Sequence, residues 1–523
     1  MWVSATASSF LLELSVDILE TMRLDLALLY PPWPVLDDRA ILQNSLPPLG
    51  ILSIAAYMEQ LGYSVHVHDV HGEKLGDAEL RRRLRADQPR FVGISVLTNM
   101  AIPALKIARI CKEEVPDCVL IAGGVHAEAV PERMLRNSAI DVVVRGDGEE
   151  AMREIMEGRA FSDIAGLSYR VGHEVKHNPP RAIEMELDRY PFPAYHLIDF
   201  GNYFPAVGSY RNLPAINMLM TRGCPGRCTF CNSARTVLRT RDAERAVEQI
   251  KHLRKHYGIR QIQFYDDTFT VMKKNVLKFC ELMEREALGV TWSAYIRGDC
   301  FSEEMAAAMK RAGCHQVLVG IETGNDEIAE RIGKPIDRDK YKKAVKIAHQ
   351  HGLEVRASFI IGSMGETWRT MEDTLNFAIE LDVDLFQLNI STPYPGTALF
   401  KEAEGRGWLV HKNWYRYGQG EVLVQQPQIS AEEIYRFERY AFRRFYLRPR
   451  VILRMLKRIA NLRHIRDYGH AALILLLGKH RKSGRLAWTG WQDLREEDFF
   501  DVPLVEPQRS RLTYELRQNT TFS

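Results

Sequence analysis

The chain is poor in cysteine: 523 residues hold only eight. That is too few for the disulfide framework of a small secreted scaffold. It has no run of about twenty apolar residues, so no transmembrane helix is expected. The first twenty residues are apolar in places but lack a basic leader and contain Glu13, Asp17 and Glu20, which argues against a secretory signal. Met22 stands directly before a strand-like run, so residues 1–22 read as an extension, either loosely packed or an ordinary capping helix. A charge of one sign is missing too: 70 Lys and Arg face 67 Asp and Glu, a net charge of +3. That balance gives no reason to expect a nucleic-acid partner. No G-x-G-x-x-G occurs, which removes the simplest dinucleotide reading.

What is present is an ordinary globular composition, 46% hydrophobic and 26% charged, long enough for about two to four domains. Three of the eight cysteines crowd one stretch, Thr221-Arg222-Gly223-Cys224-Pro225-Gly226-Arg227-Cys228-Thr229-Phe230-Cys231-Asn232. A loop this short can bring three thiolates round one soft metal centre. A closed zinc site or closed cluster normally takes four protein ligands, and no Cys or His occurs in the next twenty residues. Three ligands on a cuboidal iron–sulfur cluster would leave one iron open; a zinc loop is the plainer alternative. Cys111, Cys118, Cys280, Cys300 and Cys314 are scattered and read as buried or incidental thiols.

The rest of the chain alternates between strand and helix. Residues 23–158 give strands at 24–30, 64–69, 91–96, 119–122 and 141–144, with helices at 49–61 and 101–114. This is the pattern of a flavodoxin-like, doubly wound α/β domain whose ligand lies at the C-terminal strand edge. Glycines mark those strand ends and let a ligand approach the backbone. Residues 159–214 read as a linker, with a short strand at 164–170 followed by Leu187-Asp188-Arg189-Tyr190-Pro191-Phe192-Pro193-Ala194, which breaks any regular pattern. Residues 215–403 give six strands, at 215–221, 261–266, 290–296, 316–322, 354–361 and 385–390, with helices starting near Asp242, Lys273, Ser302, Arg338 and Thr367. Six such pairs make a partial (β/α)6 barrel, with its chemistry at the C-terminal strand ends.

The cysteine loop, with Phe230 just before its third thiol, resembles the C-x3-C-x2-C signature of the radical S-adenosylmethionine superfamily. Pro47-Pro48-Leu49-Gly50, Gly123-Gly124-Val125-His126 and Arg145-Gly146-Asp147-Gly148-Glu149 resemble the cobalamin-binding domain found ahead of many such barrels. The resemblance implies a 4Fe–4S cluster on Cys224, Cys228 and Cys231, with S-adenosylmethionine chelating the open iron. Phe230, Asp266, Arg297, Glu322 and Gly362 are then the expected S-adenosylmethionine contacts: carboxylates for its ammonium and hydroxyls, Arg297 for its carboxylate or for charge balance. Glu366 and Thr367 could instead simply start a helix. Ser95, Thr98, Gly123, Gly124, Gly146 and Glu149 are the expected cobalamin contacts. Asp69-Val70-His71 partly matches the Asp-x-His-x-x-Gly pattern of cobalt ligation, with Lys74 where the Gly belongs; His71 is either a cobalt ligand or a solvated loop residue.

Together the two resemblances imply methylation of an unactivated carbon, or of phosphorus. One S-adenosylmethionine would methylate cobalamin, and a second would yield a 5′-deoxyadenosyl radical that takes hydrogen from the substrate. The alternatives are an anaerobic oxidative cyclase of the magnesium-protoporphyrin ester type and, outside enzymes, a cobalamin-binding sensor with a structural zinc loop. A methylthiotransferase would want a second cluster triad near the N-terminus, and none is there. The implied partners are a small-molecule or lipid-like substrate and a flavodoxin- or ferredoxin-type reductant. Residues 404–523 read as a helical lid or substrate region. Residues 435–458 are rich in Arg, with Tyr440, Phe442, Phe445 and Tyr446 interleaved, and Pro449 divides them into two helices. Their basic face suits either plain solvent or a membrane surface. The expected location is the cytoplasm, where a cluster survives, with contact at the inner membrane face as an option. The apolar run 471–477 is too short to span a bilayer.

Overall fold

The computed structural model describes residues 23–33, 44–136, 139–418 and 420–458; the extension 1–22 and the apolar run 471–477 lie outside them. Two sheets organise these residues. The first contains β1 (Leu26–Tyr30), β2 (Val65–Asp69), β3 (Phe91–Ser95), β4 (Val119–Gly123), β5 (Val142–Val144), β6 (Leu167–Val171) and β7 (Glu174–His177) in the order β2-β1-β3-β4-β5-β6-β7. Strands β1 to β5 are parallel, and β6 and β7 join antiparallel. The central strands are apolar throughout because both faces are covered. Leu26 and Leu28 pack with the helices Leu49–Gln60 and Gly148–Met156, while Ala27 and Leu29 pack on the other side with Ala101–Glu114. A strand shows alternate residues to opposite faces, so two apolar faces leave no polar alternation.

Several pieces of this layer escape the sequence reading, among them the helices Val125–Ala129, Pro131–Arg136 and Gly148–Met156 and the strand β7. The helix Asp77–Asp87 buries only Leu80 and Leu84, too narrow a stripe to signal itself. The strand expected at 164–170 is Leu167–Val171, and it does not stand alone in a connector: it pairs with β5 and β7, so the first sheet runs on to His177.

The second sheet contains β8 (Ala215–Met218), β11 (Gln261–Phe264), β12 (Thr291–Ile296), β13 (Cys314–Glu322), β14 (Glu354–Ile361) and β15 (Leu385–Ile390), all parallel, in the order β15-β14-β13-β12-β11-β8. Its helices begin where their caps stand: Ser302, Asp337 and Thr367 each accept a backbone N–H three residues on, satisfying otherwise orphaned donors. A separate ribbon, β9 (Thr221–Arg222) paired with β10 (Arg239–Thr240), brackets the cysteine loop.

The sheets meet at their C-terminal strand edges. Asn217 Nδ2 donates to the Pro47 carbonyl at 3.0 Å, and Ala194 N to the Leu52 carbonyl at 3.0 Å. Gly396, after β15, stands so close to the first layer that a Cβ on it would lie 3.1 Å from Ala129 Cβ. Beyond the barrel the chain returns to the first sheet, where Phe400, Trp414, Tyr417 and Leu423 join its buried core. The helix Ala431–Tyr446 lies on the outer wall of the barrel: Phe445 stacks on Phe386 at 4.8 Å, and Phe437 meets Trp368 at 5.0 Å. It covers the last strands from outside, whereas a lid would close over the mouth. Among the described residues no helix is long and apolar enough to cross a membrane.

Candidate active site

The cysteine loop is built by its anchors. Asp266 directs its carboxylate at the backbone N–H groups of Met220, at 3.0 Å, and Thr221, fastening the turn that leaves β8. Gly223 follows with φ of 91°, and a Cβ there would fall 2.2 Å from the Val237 carbonyl oxygen, so only glycine closes the ribbon. Thr236 ties the loop across: its hydroxyl accepts from Cys224 N at 2.8 Å, and its N–H donates to the Cys224 carbonyl at 3.0 Å. Gly226 lies between two thiols. A Cβ there would be 3.2 Å from Cys224 Sγ and 4.0 Å from Cys228 Sγ. Its N–H donates to Cys224 Sγ at 3.4 Å.

All three thiols are half-buried, and burial raises those of Cys228 and Cys231. A tetrahedral zinc with bonds of about 2.3 Å holds its sulfurs about 3.8 Å apart. Among the described residues, the trio of metal-ligating side chains that closes within 4.8 Å is His66, His68 and Asp87. The cysteines are splayed more widely. Three thiolates without a fourth protein ligand suit a cuboidal cluster with one open iron.

Around this loop the expected S-adenosylmethionine contacts take different positions. Asp266 is buried and committed to backbone N–H groups, its carboxyl pushed up to about 7 by burial. Its neighbour Asp267, which the sequence reading passed over, keeps an exposed edge beside Cys231 and takes hydrogen bonds from Ser233 and the Gly223 N–H. Arg297 forks onto Asp299 at 3.1 and 2.7 Å, with Nη1 next to Gly226. Glu322 closes β13 with φ of 72°, a conformation that costs a non-glycine residue about 1 kcal/mol or more. Its Oε1 receives Lys334 Nζ at 2.8 Å, and the same Nζ donates to the Gly320 carbonyl at 2.8 Å. Burial alone would lower the Lys334 ammonium; Glu322, helped by Tyr341 and Cys228, more than reverses that. Phe230 packs with Met364, Leu399 and Val424. Gly362 turns at φ of 76° beneath Ile434. Glu366 is fully buried; one oxygen accepts Ser363 N at 2.8 Å, the other has no hydrogen-bond partner among the described residues, and burial pushes its carboxyl up to about 8. Thr367 is a helix cap.

The facing edge of the first sheet is cut back to backbone. Gly123 and Gly146 end adjacent strands with no atom within 4 Å of where a Cβ would stand, and Gly124, at φ of 92°, rests on the Val96 backbone. This open, side-chain-free edge fits the tail of a bulky corrinoid. Ser95 is half-buried at the end of β3. Thr98 turns inward, its hydroxyl 3.3 Å from His126 Nδ1, under a layer in which Trp414 meets the His126 ring at 5.3 Å. Glu149 is turned away from the edge: its carboxylate takes Arg222 Nη2 at 2.8 Å, while Asp147 draws Arg222 at 3.7 Å and pairs with Arg239. The loop after β5 is thus ion-paired to both strands of the ribbon that holds the cysteines. His71 is buried rather than solvated, stacked on Trp33 at 3.5 Å, and burial holds it down at about 3. Asp69 spends its carboxylate on Gly72 N and Tyr203 Oη, both at 2.7 Å. Lys74, where the cobalt-ligand pattern has glycine, does adopt a positive φ of 58°.

Two family models match the chain: the B12 binding domain over residues 38–156 and the Radical SAM superfamily over residues 218–378. An uncharacterized methyltransferase of Pyrococcus horikoshii is 35% identical over 416 residues, which is 78% of this chain and 89% of that protein. An anaerobic magnesium-protoporphyrin IX monomethyl ester cyclase of Rubrivivax gelatinosus is 26% identical over 377 residues, 69% of this chain and 67% of that protein. Among solved structures, the radical S-adenosylmethionine methyltransferase TsrM from Kitasatospora setae, with cobalamin and a [4Fe-4S] cluster bound, shares the fold with a TM-score of 0.59 at 20% identity. The match covers 74% of this chain and 76% of that one.

Proposed function

Because the chain belongs to the cobalamin-binding branch of the radical S-adenosylmethionine superfamily, we propose that it transfers a methyl group to an unactivated carbon, or to phosphorus, of a small molecule held between its two sheets. The cofactors of that family are a 4Fe–4S cluster, S-adenosylmethionine and cobalamin. Bound together they supply a 5′-deoxyadenosyl radical and a methyl group that can move without a nucleophile. The protein's share is positional. Cys224, Cys228 and Cys231 would hold the cluster. Asp267, Glu322 and Arg297 stand round it with the charges an amino-acid end and a ribose require, and Lys334 keeps Glu322 in place. Gly123, Gly124 and Gly146 would admit the corrinoid, and the barrel wall would exclude water from the space between.

The observation that carries this reading is the juxtaposition of the two edges: the splayed thiol loop of the barrel and the glycine edge of the first sheet, joined by Arg222 and Glu149. The test is anaerobic reconstitution followed by turnover with trideuteromethyl S-adenosylmethionine and a strong reductant. The expected result is a cuboidal cluster spectrum, 5′-deoxyadenosine, and a product in which one trideuteromethyl replaces one hydrogen. A product that gains oxygen and loses hydrogen would mean a cyclase. Zinc without labile sulfide would overturn the enzyme reading altogether.

A further inference from the structure

The barrel lumen holds a cation that the cofactors do not account for. Strand β14 lies between β13 and β15, yet only its alternate residues are buried: Val355, Ala357, Phe359 and Ile361 face the helices, while Arg356, Ser358 and Ile360 are part-exposed. An interior strand of a sheet whose outer face is covered by helices can be exposed only toward an open lumen. Strand β15 repeats the pattern with Leu385, Gln387 and Asn389. The register aligns Arg356 with Leu318 of β13 and, through it, with Tyr295 of β12. The charge of Arg356 is felt by both Tyr295 and Tyr265 across the lumen.

Arg356 makes one hydrogen bond, Nε to Gln387 Oε1 at 3.2 Å, and among the described residues no carboxylate stands within ion-pair distance of its guanidinium. Glu354, on the same face two residues earlier, accepts from Gln316 at 3.1 Å and faces Arg211 at 3.7 Å. Toward β15 and the strand's C-terminal end the neighbours of Arg356 are neutral: Asn389 donates to Ser358 at 3.0 Å and Gln387 to Asn389 at 3.3 Å. A partly buried guanidinium held by one amide keeps a planar fork of donors free for a carboxylate or phosphoryl group.

We infer that the substrate is an anion, a carboxylate or phosphoryl compound, whose charged end is gripped by Arg356 with Gln387 and the two tyrosines while its methyl-accepting atom points to the cluster loop. This rests on the methyl-transfer reading above and goes beyond it by naming the substrate class. Arg356 would act as a specificity-determining residue, outside the chemical step.

The test feeds the reconstituted holoenzyme with trideuteromethyl S-adenosylmethionine and a small-molecule extract of its host cell grown without oxygen, then resolves labelled products by anion exchange and mass spectrometry. The labelled product should be retained as an anion at neutral pH. With its unlabelled precursor as substrate, Arg356→Gln should raise KM about ten- to a hundredfold, the range for a lost charge-assisted hydrogen bond, with a smaller change in kcat. Arg356→Lys, which keeps the charge without the fork, should recover part of it. A labelled product that is neutral, or an anionic one whose KM is unmoved in Arg356→Gln, overturns the assignment while leaving methyl transfer intact. No labelled product from any fraction, with 5′-deoxyadenosine still forming, sinks methyl transfer and this inference with it.

Discussion

Replacing Glu149 with Gln removes one charge from the tie between the two sheets and leaves the half-buried Arg222 without that partner. The pair is 2.8 Å apart, with side-chain exposures of 4% for Glu149 and 19% for Arg222. At an effective dielectric of about 20, two charges about 4 Å apart attract by about 4 kcal/mol, and stripping one partner from a buried pair typically costs about 3–5 kcal/mol. Asp147, 3.7 Å from the Arg222 guanidinium, would take up part of the orphaned charge, so about 2–3 kcal/mol is expected for Glu149→Gln. The double variant Arg222→Met with Glu149→Leu should recover most of that, because an apolar pair of similar volume replaces a buried ion pair at little net cost. Anaerobic urea unfolding of wild type, Glu149→Leu, Arg222→Met and the double variant completes the cycle, with a coupling energy of about 1.5 kcal/mol or more. A Glu149→Gln variant within about 0.5 kcal/mol of wild type, or purely additive losses, would refute the tie.

Three further outcomes follow from the geometry. Gly223→Ala must push a Cβ into the Val237 carbonyl, so iron incorporation should collapse while the far-ultraviolet dichroism of the barrel persists. Lys334→Met leaves Glu322 in a nearly enclosed site without its partner at 2.8 Å, and should cost about 3 kcal/mol in urea and weaken S-adenosylmethionine binding measured by equilibrium dialysis. Glu366, raised to about 8, is held neutral by the fold, so the folded state binds the extra proton. Stability is then greatest at acid pH and falls as pH climbs through about 8, by on the order of a few kcal/mol. Glu366→Gln should flatten that slope, and melting curves at a series of pH values will read it.

How much of this was legible depended on which side of a residue mattered. Apolar strand runs and glycine ends announce themselves in a linear pattern, and so the parallel strands of both sheets, the cysteine loop and the helix starts at Ser302 and Thr367 could be read directly, whereas the antiparallel pairing of β6 and β7 could not. The choice between neighbours could not. Asp266 and Asp267 are chemically identical, and only the turn after β8 decides that the first feeds Met220 and Thr221 while the second stays open beside Cys231. Glu149 sits in the right loop for a cobalamin contact, but its partner is 73 positions away on the ribbon. Lys334 and Arg356 carry no local signal at all; their meaning comes from what stands, or does not stand, opposite them.

The return of residues 400–423 to the first sheet has a consequence for manipulating the chain. By strand count the barrel is complete at β15, and a stop codon soon afterwards would look harmless. Such a stop would strip Trp414, Tyr417 and Leu423 from beneath the opposite module, baring greasy surface around residues 98–134, far upstream of the lesion. The two halves are laced like a shoe, from the far end back, and swapping either one between relatives would demand that the lace travel with it.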